Sequence, residues 1–301
     1  MSSTAPGDTA LIGVDWGTSN LRVMRIDASG AVLESRSDPR GAGGLAPAEF
    51  PVVLSEVAGA WLNGGLPVLC CGMAGARGRW LEVAYRPTPT TMDDLSLGLR
   101  SPAGNPGVRI VPGLMAMAGG RMIDVMRGEE TQIMGLDVES GSRRIVAPGT
   151  HSKWVHVRQG RIIGFRTFMT GELFDAIRRG TLLGADMDEP GGDAEAFAAG
   201  VDRALREPAL TAALFSVRVE VLAERMKSAA AADYLSGLLI GAEIAAHNHD
   251  SHGPVTLVGA GKLNARYVNA LGIAGFSDIR VADGIEATAL GLWRIHQASL
   301  R

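Results

Sequence analysis

The sequence predicts an α/β fold built from two related halves. An apolar strand, a polar turn and a second strand open the chain, with the turn at residues 15–20. The same pattern returns about 130 residues later, a separation that indicates two related halves rather than a short tandem repeat. From residue 255 onward the pattern alternates strand, helix, strand and helix, which is typical of α/β proteins.

The first half begins with a predicted β-hairpin. Residues 10–14 are apolar, and Leu21 and Val23 alternate with Arg22 at the two-residue period of a strand. The stretch AVLESRS follows a Ser-Gly turn and predicts a third strand of a meander. Further along, FPVVLSEVAGAWL has the apolar spacing of a helix, whereas PVLCCGMAG and VRIVPG indicate strands.

A helix and a second hairpin follow. RGEETQIMGLDV predicts a helix with two acids in its first turn, where they complement the helix dipole. An apolar strand, a Gly-Thr-His-Ser turn and alternating Trp154, Val155 and Val157 then predict a second hairpin. Residues 174–246 indicate mainly helices, which precede the α/β alternation at the end of the chain.

Composition excludes several classes of protein. A net charge of −3 without a long basic run gives no electrostatic footprint for nucleic acid. Cys70 and Cys71 are adjacent, so they cannot link distant segments, and we expect a reducing cytoplasm. No stretch reaches the roughly 18 to 20 apolar residues of a membrane helix. Residues 1–10 lack a signal-peptide pattern and predict a frayed tail.

The first polar turn places an acid at the end of a strand. Asp15 could hold Mg²⁺ through water, while Gly17, Thr18, Ser19 and Asn20 offer small donors to phosphate oxygens. The turn is not a Walker loop, because it lacks Gly-Lys-Ser/Thr, and it is not a dinucleotide fingerprint, because a strand follows it. An ordinary polar hairpin is the alternative.

Two later turns could add to such a site. Gly149, Thr150, His151 and Lys153 form the second hairpin turn, and two facing hairpins would grip a polyphosphate, with Lys153 as a point charge. A solvated lysine and a packed histidine are the alternatives. VGAGKLNARYV is a strand, a Gly-Ala-Gly turn and a helix, which permits close approach of an anionic ligand but equally fits a plain βα turn.

Taken in order, these pieces resemble the superfamily of actin, hexokinase and the heat-shock-chaperone ATPases. More specifically, the chain resembles the 2-dehydro-3-deoxygalactonokinase family. The blocks that carry the resemblance are DWGTSNLR, GMAGARGRW, MRGEETQIMG, PGTHSKWV, FRTFMTGELF, LSGLLIGAE and TLVGAGKLNARY. They span nearly the whole chain and keep the order of the family.

The resemblance implies two ribonuclease-H-like (actin/hexokinase-type) domains with a central nucleotide cleft. The expected domains are residues 1–135, with the substrate region, and 136–301, with the adenosine site. The two hairpins then bind the phosphates of ATP, with Mg²⁺ at Asp15. Adenosine is expected near these residues: Ser236, Gly237, Gly259, Gly261 and Lys262.

The resemblance also implies a catalytic acid at the start of the helix before the second hairpin. That position falls on Glu129 and Glu130, whose carboxylates can accept the proton of an attacking hydroxyl. They lie about 100° apart around a helix, so both are not expected to reach one hydroxyl, and Glu129 is preferred. The alternative is that these acids only cap the helix.

A keto acid substrate needs a partner for its carboxylate, and arginine suits that pairing best. Arg77 is the first candidate and Arg166, beside Thr170 and Glu172, the second. A surface or structural role is the alternative for each arginine. The family more often has Ser at Ala76 and Gly at Arg79, so these departures bear on substrate contact.

The implied activity is ATP- and Mg²⁺-dependent phosphorylation of 2-dehydro-3-deoxy-D-galactonate at its C6 hydroxyl, in galactonate breakdown. A kinase of the same fold acting on another sugar or sugar acid is the nearest alternative, because a fold does not fix a substrate. A non-catalytic sugar sensor or a chaperone-like ATPase is less favoured, since we expect no DNA-binding segment or peptide-binding domain. Membrane partners are not expected, and a homodimer is one option for the oligomeric state.

Overall fold

The fold is taken from a computed structural model of the chain. It describes residues 8–136, 141–185, 187–188, 190–207, 209–247, 253–259 and 261–301. Four predictions of local structure fall outside these residues in part. They are the tail at residues 1–7, the helix end at residues 137–138, residues 186, 189 and 208 of the mainly helical stretch, and residue 260 of the Gly-Ala-Gly turn.

The predicted strands and helices occur in the predicted order, and the structure adds a helix at Met92–Leu97 and strands at Arg86–Pro87, Leu114–Ala118 and Arg121–Met126. The strands are β1 Thr9–Trp16, β2 Leu21–Asp27, β3 Val32–Asp38, β4 Val68–Gly72, β5 Arg86–Pro87, β6 Val108–Ile110, β7 Leu114–Ala118, β8 Arg121–Met126, β9 Ser142–Ala147, β10 Ser152–Arg158, β11 Arg161–Phe168, β12 Val255–Gly259 and β13 Ile279–Asp283. The helices are α1 Phe50–Ala58, α2 Met92–Leu97, α3 Glu129–Gly135, α4 Thr170–Gly180, α5 Ala194–Arg206, α6 Leu210–Leu222, α7 Ala231–Ala245, α8 Gly261–Ile273 and α9 Gly284–Ala298.

Two five-stranded sheets have the same strand order. Their orders are β3-β2-β1-β4-β6 and β11-β10-β9-β12-β13, so each begins with three consecutive strands and continues with two later strands. In the first sheet β2 runs antiparallel to β1 and β3, whereas β4 runs parallel to β1 and β6. This repeated order confirms the predicted α/β class with two ribonuclease-H-like halves. A third sheet has the order β5-β7-β8.

The chain forms two compact units. Unit 1 comprises residues 1–145, 155–166 and 282–301, and unit 2 comprises residues 146–154 and 167–281. The predicted domain boundary between residues 135 and 136 stays a prediction. Within the described residues, no helix combines the length and the apolar character that crossing a membrane requires.

Each unit has its own apolar core. In unit 1 the rings of Trp16, Phe50 and Trp80 pack together, with centroids 4.7 to 5.8 Å apart. In unit 2 helices α5 and α7 approach closely, because a Cβ on Gly200 would lie 2.2 Å from the carbonyl oxygen of Tyr234. These cores hold the strand ends and helix starts that carry the polar residues.

Helix α3 is fixed against α9 by two glycines in unit 1. A Cβ on Gly135 would lie 1.8 Å from the carbonyl oxygen of Ala287, and a Cβ on Gly291 would lie 1.9 Å from that of Thr131. Both clashes are with backbone, so a side chain there would push the helices apart. The position of α3, which carries Glu129 and Glu130, therefore depends on this contact.

We expect Gly135→Ala to destabilise the protein by about 1 to 3 kcal/mol, the usual cost of overpacking a close contact. Kinase activity should fall as well, since α3 is displaced. Thermal unfolding measures the first effect. Gly272→Ala is the matched control, because Gly272 lies in α8 with open space around its Cβ position. Equal unfolding temperatures in the two variants would contradict the contact.

Candidate active site

The carboxylate of Asp15 lies at the carboxyl end of β1, in unit 1. Strand register pairs Asp15 with Arg22 on β2 and with Cys71 on β4, whose Sγ lies 3.9 Å from Asp15 Oδ1. Desolvation raises the pKa of Asp15; the Arg22 guanidinium opposes this rise, and the Glu129 carboxylate adds to it. Asp15 and Glu129 therefore act on each other electrostatically, as two acids of one site would.

The turn after Asp15 presents polar groups to solvent. Gly17 N–H donates to the carbonyl oxygen of Asn20 at 2.9 Å and closes the turn. Thr18, Ser19 and Asn20 are exposed. Their hydroxyl and amide groups are thus accessible to an anion, although their predicted role as phosphate ligands stays a prediction.

A glycine-rich segment at residues 41–44 is hydrogen-bonded to the backbone of this turn. Ala42 N–H donates to the carbonyl oxygen of Gly17 at 2.9 Å, and Gly43 N–H donates to that of Thr18 at 2.8 Å. A Cβ on Gly41 would lie 2.2 Å from the Thr18 carbonyl oxygen, so the close approach requires glycine. This contact was not predicted, and the run GAGG is its signal in the sequence.

Glu129 begins α3 after a glycine with an unusual backbone conformation. Gly128 has a φ of 111°, in the left-handed region that favours glycine. The backbone also passes close to β4, because a Cβ on Gly128 would lie 3.4 Å from Gly72 Cα. Glu129 is half-buried, and its Oε2 accepts a hydrogen bond from Arg127 N–H at 3.2 Å. Gly128 thus sets the direction in which α3 leaves the sheet.

Glu130 has no exposed surface. Its Oε2 accepts from Gly128 N–H at 2.6 Å and its Oε1 from the Thr131 hydroxyl at 2.9 Å. Burial, with a smaller contribution from the Glu129 charge, raises the pKa of Glu130 to about 7. Glu130 is fully buried and both of its carboxylate oxygens already accept hydrogen bonds at the start of α3, which favours Glu129 as the proton acceptor.

The raised pKa of Glu130 has a consequence for stability. In the unfolded chain this carboxyl ionises above its ordinary pKa of 4.5, but in the folded protein only above about 7. Folding therefore becomes less favourable as pH rises from 4.5 to 7, by about 3 kcal/mol, and changes no further above pH 7.

We expect Glu130→Gln to remove this pH dependence. As pH rises from 4.5 to 8, the unfolding free energy of the variant should increase by about 3 kcal/mol relative to that of the wild type. Urea unfolding across that range measures the gain. Glu82→Gln serves as control, since the Glu82 side chain is 56% exposed. A gain that is equal in both variants would contradict the burial of an ionisable group at Glu130.

The turn of the second hairpin lies in unit 2 and is hydrogen-bonded to α4. Glu172 N–H donates to the carbonyl oxygen of Thr150 at 3.1 Å, and His151 Nε2 lies 2.5 Å from Glu172 Oε2. Lys153 is 5% exposed, and its Nζ donates to the carbonyl oxygen of His151 at 2.8 Å. The lysine thus makes a hydrogen bond within its own turn. Its role as a phosphate partner stays a prediction.

A cavity of about 370 Å³ opens beside this hairpin. Among the residues that line it are Gly149, Thr150, Thr170, Ser236, Lys262 and Tyr267. The volume falls within the range of small-molecule sites. Four of the residues that line it were predicted to bind the nucleotide, and they come from three separate segments of unit 2: Gly149 and Thr150, Ser236, and Lys262.

Three glycines predicted for adenosine do not line this cavity. Gly237 faces α5 instead, where a Cβ would lie 2.1 Å from the carbonyl oxygen of Phe197. Gly259 has a φ of 149°, and Gly261 begins α8 with a φ of 72°. The two turn glycines therefore shape the backbone at the start of the helix that carries Lys262.

A buried carboxylate that was not predicted connects the second hairpin to the cavity. Glu243 is 2% exposed and accepts hydrogen bonds from Trp154 Nε1 at 2.5 Å, from Tyr267 Oη at 2.8 Å and from the Thr170 hydroxyl. Tyr267 has one hydroxyl proton, which it gives to Glu243, so Ser152 donates to Tyr267 Oη at 2.7 Å. Glu243 therefore holds the side chains of Trp154, Thr170 and Tyr267 together. In the sequence, the acid within the apolar block LSGLLIGAE is the feature that could have indicated it.

The four residues predicted to bind the substrate differ in exposure and in their partners. The Arg77 side chain is 89% exposed and pairs with Glu82 at 3.3 Å. Arg166 is also exposed. Thr170 lines the cavity of unit 2, and Glu172 pairs with His151 at the second hairpin. The structure thus associates Thr170 and Glu172 with the predicted nucleotide region, while the substrate roles of all four stay predictions.

The carboxylates fit a magnesium ion that is held mainly by water and phosphate. In the part of the chain that the structure describes, no group of three or more His, Cys, Asp or Glu side chains could form a metal site. Mg²⁺ in kinases typically takes one or two protein carboxylates and completes its shell with water and substrate oxygens. A half-buried Asp15 next to a polar turn matches that requirement.

Comparison with known proteins gives a consistent result. Residues 15–295 match the family model described as 2-keto-3-deoxy-galactonokinase. A protein from Rhizobium meliloti (strain 1021), to which 2-dehydro-3-deoxygalactonokinase activity is ascribed, is 42% identical over 93% of this chain and 94% of its own. The 2-dehydro-3-deoxygalactonokinase of Escherichia coli (strain K12) is 36% identical over 95% of this chain and 97% of its own.

A solved structure extends the similarity to the fold. It is a crystal structure from Sinorhizobium meliloti, of a protein to which the same activity is ascribed. It is 39% identical to this chain, covers 96% of this chain and 98% of its own, and has a TM-score of 0.87. The predicted resemblance is thereby confirmed, and the chain belongs to the 2-keto-3-deoxy-galactonokinase family.

Proposed function

We propose that the protein phosphorylates 2-dehydro-3-deoxy-D-galactonate at its C6 hydroxyl, with ATP as donor and ADP as second product. The single observation that carries this mechanism is the placement of two half-buried acids in unit 1, Asp15 at the end of β1 and Glu129 at the start of α3, where the Glu129 charge helps to raise the pKa of Asp15. Phosphoryl transfer requires mainly positioning and charge stabilisation, and a carboxylate to receive a proton.

Glu129 is the proposed general base. Its carboxylate takes the proton of the C6 hydroxyl while the hydroxyl oxygen bonds to the γ-phosphorus of ATP. The bond from that phosphorus to the β,γ-bridging oxygen breaks in the same step, and ADP leaves with the bonding electrons. Glu130 stays buried behind Glu129 and holds the first turn of α3 through Gly128 and Thr131.

The remaining residues bind the nucleotide in this proposal. Asp15 would hold Mg²⁺ through water, and the ion would supply positive charge to the phosphates. The exposed turn at residues 17–20 offers donors to phosphate oxygens in unit 1. In unit 2 the cavity beside Ser236 and Lys262 has a size suited to the adenosine portion of ATP.

A coupled ADP-release assay over a panel of acceptors tests the substrate. We expect turnover with 2-dehydro-3-deoxy-D-galactonate and much lower rates with glucose, mannose and N-acetylglucosamine. Activity on the hexoses without activity on keto-deoxy sugar acids would overturn the substrate assignment and leave the kinase chemistry intact.

We also propose a cytoplasmic location. Cys70 and Cys71 are both buried free thiols, which fits a reducing compartment. The homodimer stays a prediction, which sedimentation at several protein concentrations would test.

A further inference from the structure

The guanidinium of Arg127 is held in one orientation in unit 1. Arg127 lies between the end of β8 and Gly128. Its Nη2 donates to the carbonyl oxygen of Val83 at 2.7 Å, and its Cζ lies 4.4 Å from the centroid of the Tyr85 ring. A hydrogen bond at one nitrogen and an aromatic face against the plane leave this group little rotational freedom.

Two of its nitrogen atoms have no partner. Nε and Nη1 carry almost no exposed surface, and neither makes a hydrogen bond within the described residues. Over the same residues no carboxylate forms an ion pair with Arg127. Buried charges in proteins are normally paired and buried donors normally bonded, because leaving them unsatisfied is costly. A carboxylate could satisfy both donors and the charge at once.

Two sequence blocks meet at this guanidinium. A Cβ on Gly75, in the block GMAGARGRW, would lie 2.6 Å from Arg127 Nη1, so this block packs directly against the guanidinium. The backbone N–H of Arg127 donates to Glu129 Oε2 at 3.2 Å, so the arginine is directly connected to the proposed base. Arg77, the arginine predicted for the substrate, is instead 89% exposed and already paired with Glu82.

We propose that Arg127 binds the carboxylate of the 2-keto acid substrate. This inference rests on the proposed function, and it names the residue that distinguishes a sugar acid from a neutral sugar. The carboxylate accepts hydrogen bonds from Nε–H and Nη1–H, and its charge compensates the guanidinium. Since both nitrogens are covered, the segment at Gly75 must shift locally when the substrate binds.

A comparison of two substrates tests the inference. The acid substrate and its C1 carboxamide differ only in the charged group, and kcat and KM are measured for both with wild type, Arg127→Met and Arg127→Lys. For the acid we expect Arg127→Met to raise KM about 100-fold, the size of a lost charge-assisted interaction, with KM for ATP unchanged. For the carboxamide the wild type and Arg127→Met should have nearly equal kcat/KM.

The controls separate the outcomes. Arg121→Met, at an exposed position of β8 in the same unit, should behave as the wild type with both substrates. A kcat/KM loss that is equal for acid and carboxamide in the Arg127 variants means a structural role and overturns the inference. Arg127→Lys retains the charge and covers the case in which Arg127→Met does not fold; it should lose more with the acid than with the carboxamide. A wild type without activity on the acid would instead overturn the proposed function.

Discussion

Replacing Glu129 with Gln is expected to lower kcat about 10³-fold, the typical contribution of a general base. The amide keeps the size of the side chain and can still accept from Arg127 N–H, but it cannot take the proton of the C6 hydroxyl. Nucleotide contacts are unchanged, so KM for ATP should change less than about threefold. Steady-state kinetics with saturating Mg²⁺ measure both quantities.

Glu130→Gln is the matched control for this result. Glu130 is the next residue, but it is fully buried and hydrogen-bonded to Gly128 N–H and Thr131. Its replacement should reduce kcat far less than that of Glu129. Near-normal turnover in Glu129→Gln together with a large loss in Glu130→Gln would assign the proton transfer to Glu130, whose pKa of about 7 would suit a base near neutral pH.

Replacing Asp15 with Asn is expected to weaken the use of Mg²⁺-ATP. The change removes the negative charge at the end of β1 while the shape of the side chain and the strand pairing are retained. We expect the Mg²⁺ concentration for half-maximal activity to rise about 10- to 100-fold, as in other metal sites that lose a supporting carboxylate. A Mg²⁺ titration at fixed ATP measures this shift.

Asp93→Asn provides the comparison, since Asp93 is an exposed acid on α2 in the same unit. Its Mg²⁺ dependence should match that of the wild type. If Asp15→Asn also leaves the Mg²⁺ dependence unchanged, Asp15 has no part in metal binding. Its raised pKa would then reflect only its desolvated position beside Glu129.

Local patterns in the sequence were sufficient to predict the first hairpin. The alternation around Arg22 fixed the strand, and the antiparallel register then places Arg22 opposite Asp15. The repeated hairpin predicted two related halves, which the two sheets of equal strand order confirm. Patterns of this kind persist in the fold because they depend on residues that are close in sequence.

Long-range contacts could not be predicted in the same way. Helical spacing shows that Glu129 and Glu130 point in different directions, but only the packing of the folded chain leaves Glu130 fully buried and Glu129 half-buried. Glu243 gains its role only where α7 meets a hairpin about 90 residues earlier in the chain, a separation that no periodicity reveals.

The product of a single reaction tests the central claim most directly. The protein is mixed with Mg²⁺, ATP and 2-dehydro-3-deoxy-D-galactonate, and the product is identified by ³¹P and ¹H NMR. We expect one phosphomonoester per ADP formed, with its phosphorus coupled to the two protons on C6. A phosphate on another carbon, or ADP formed without any sugar phosphate, would contradict the proposed function.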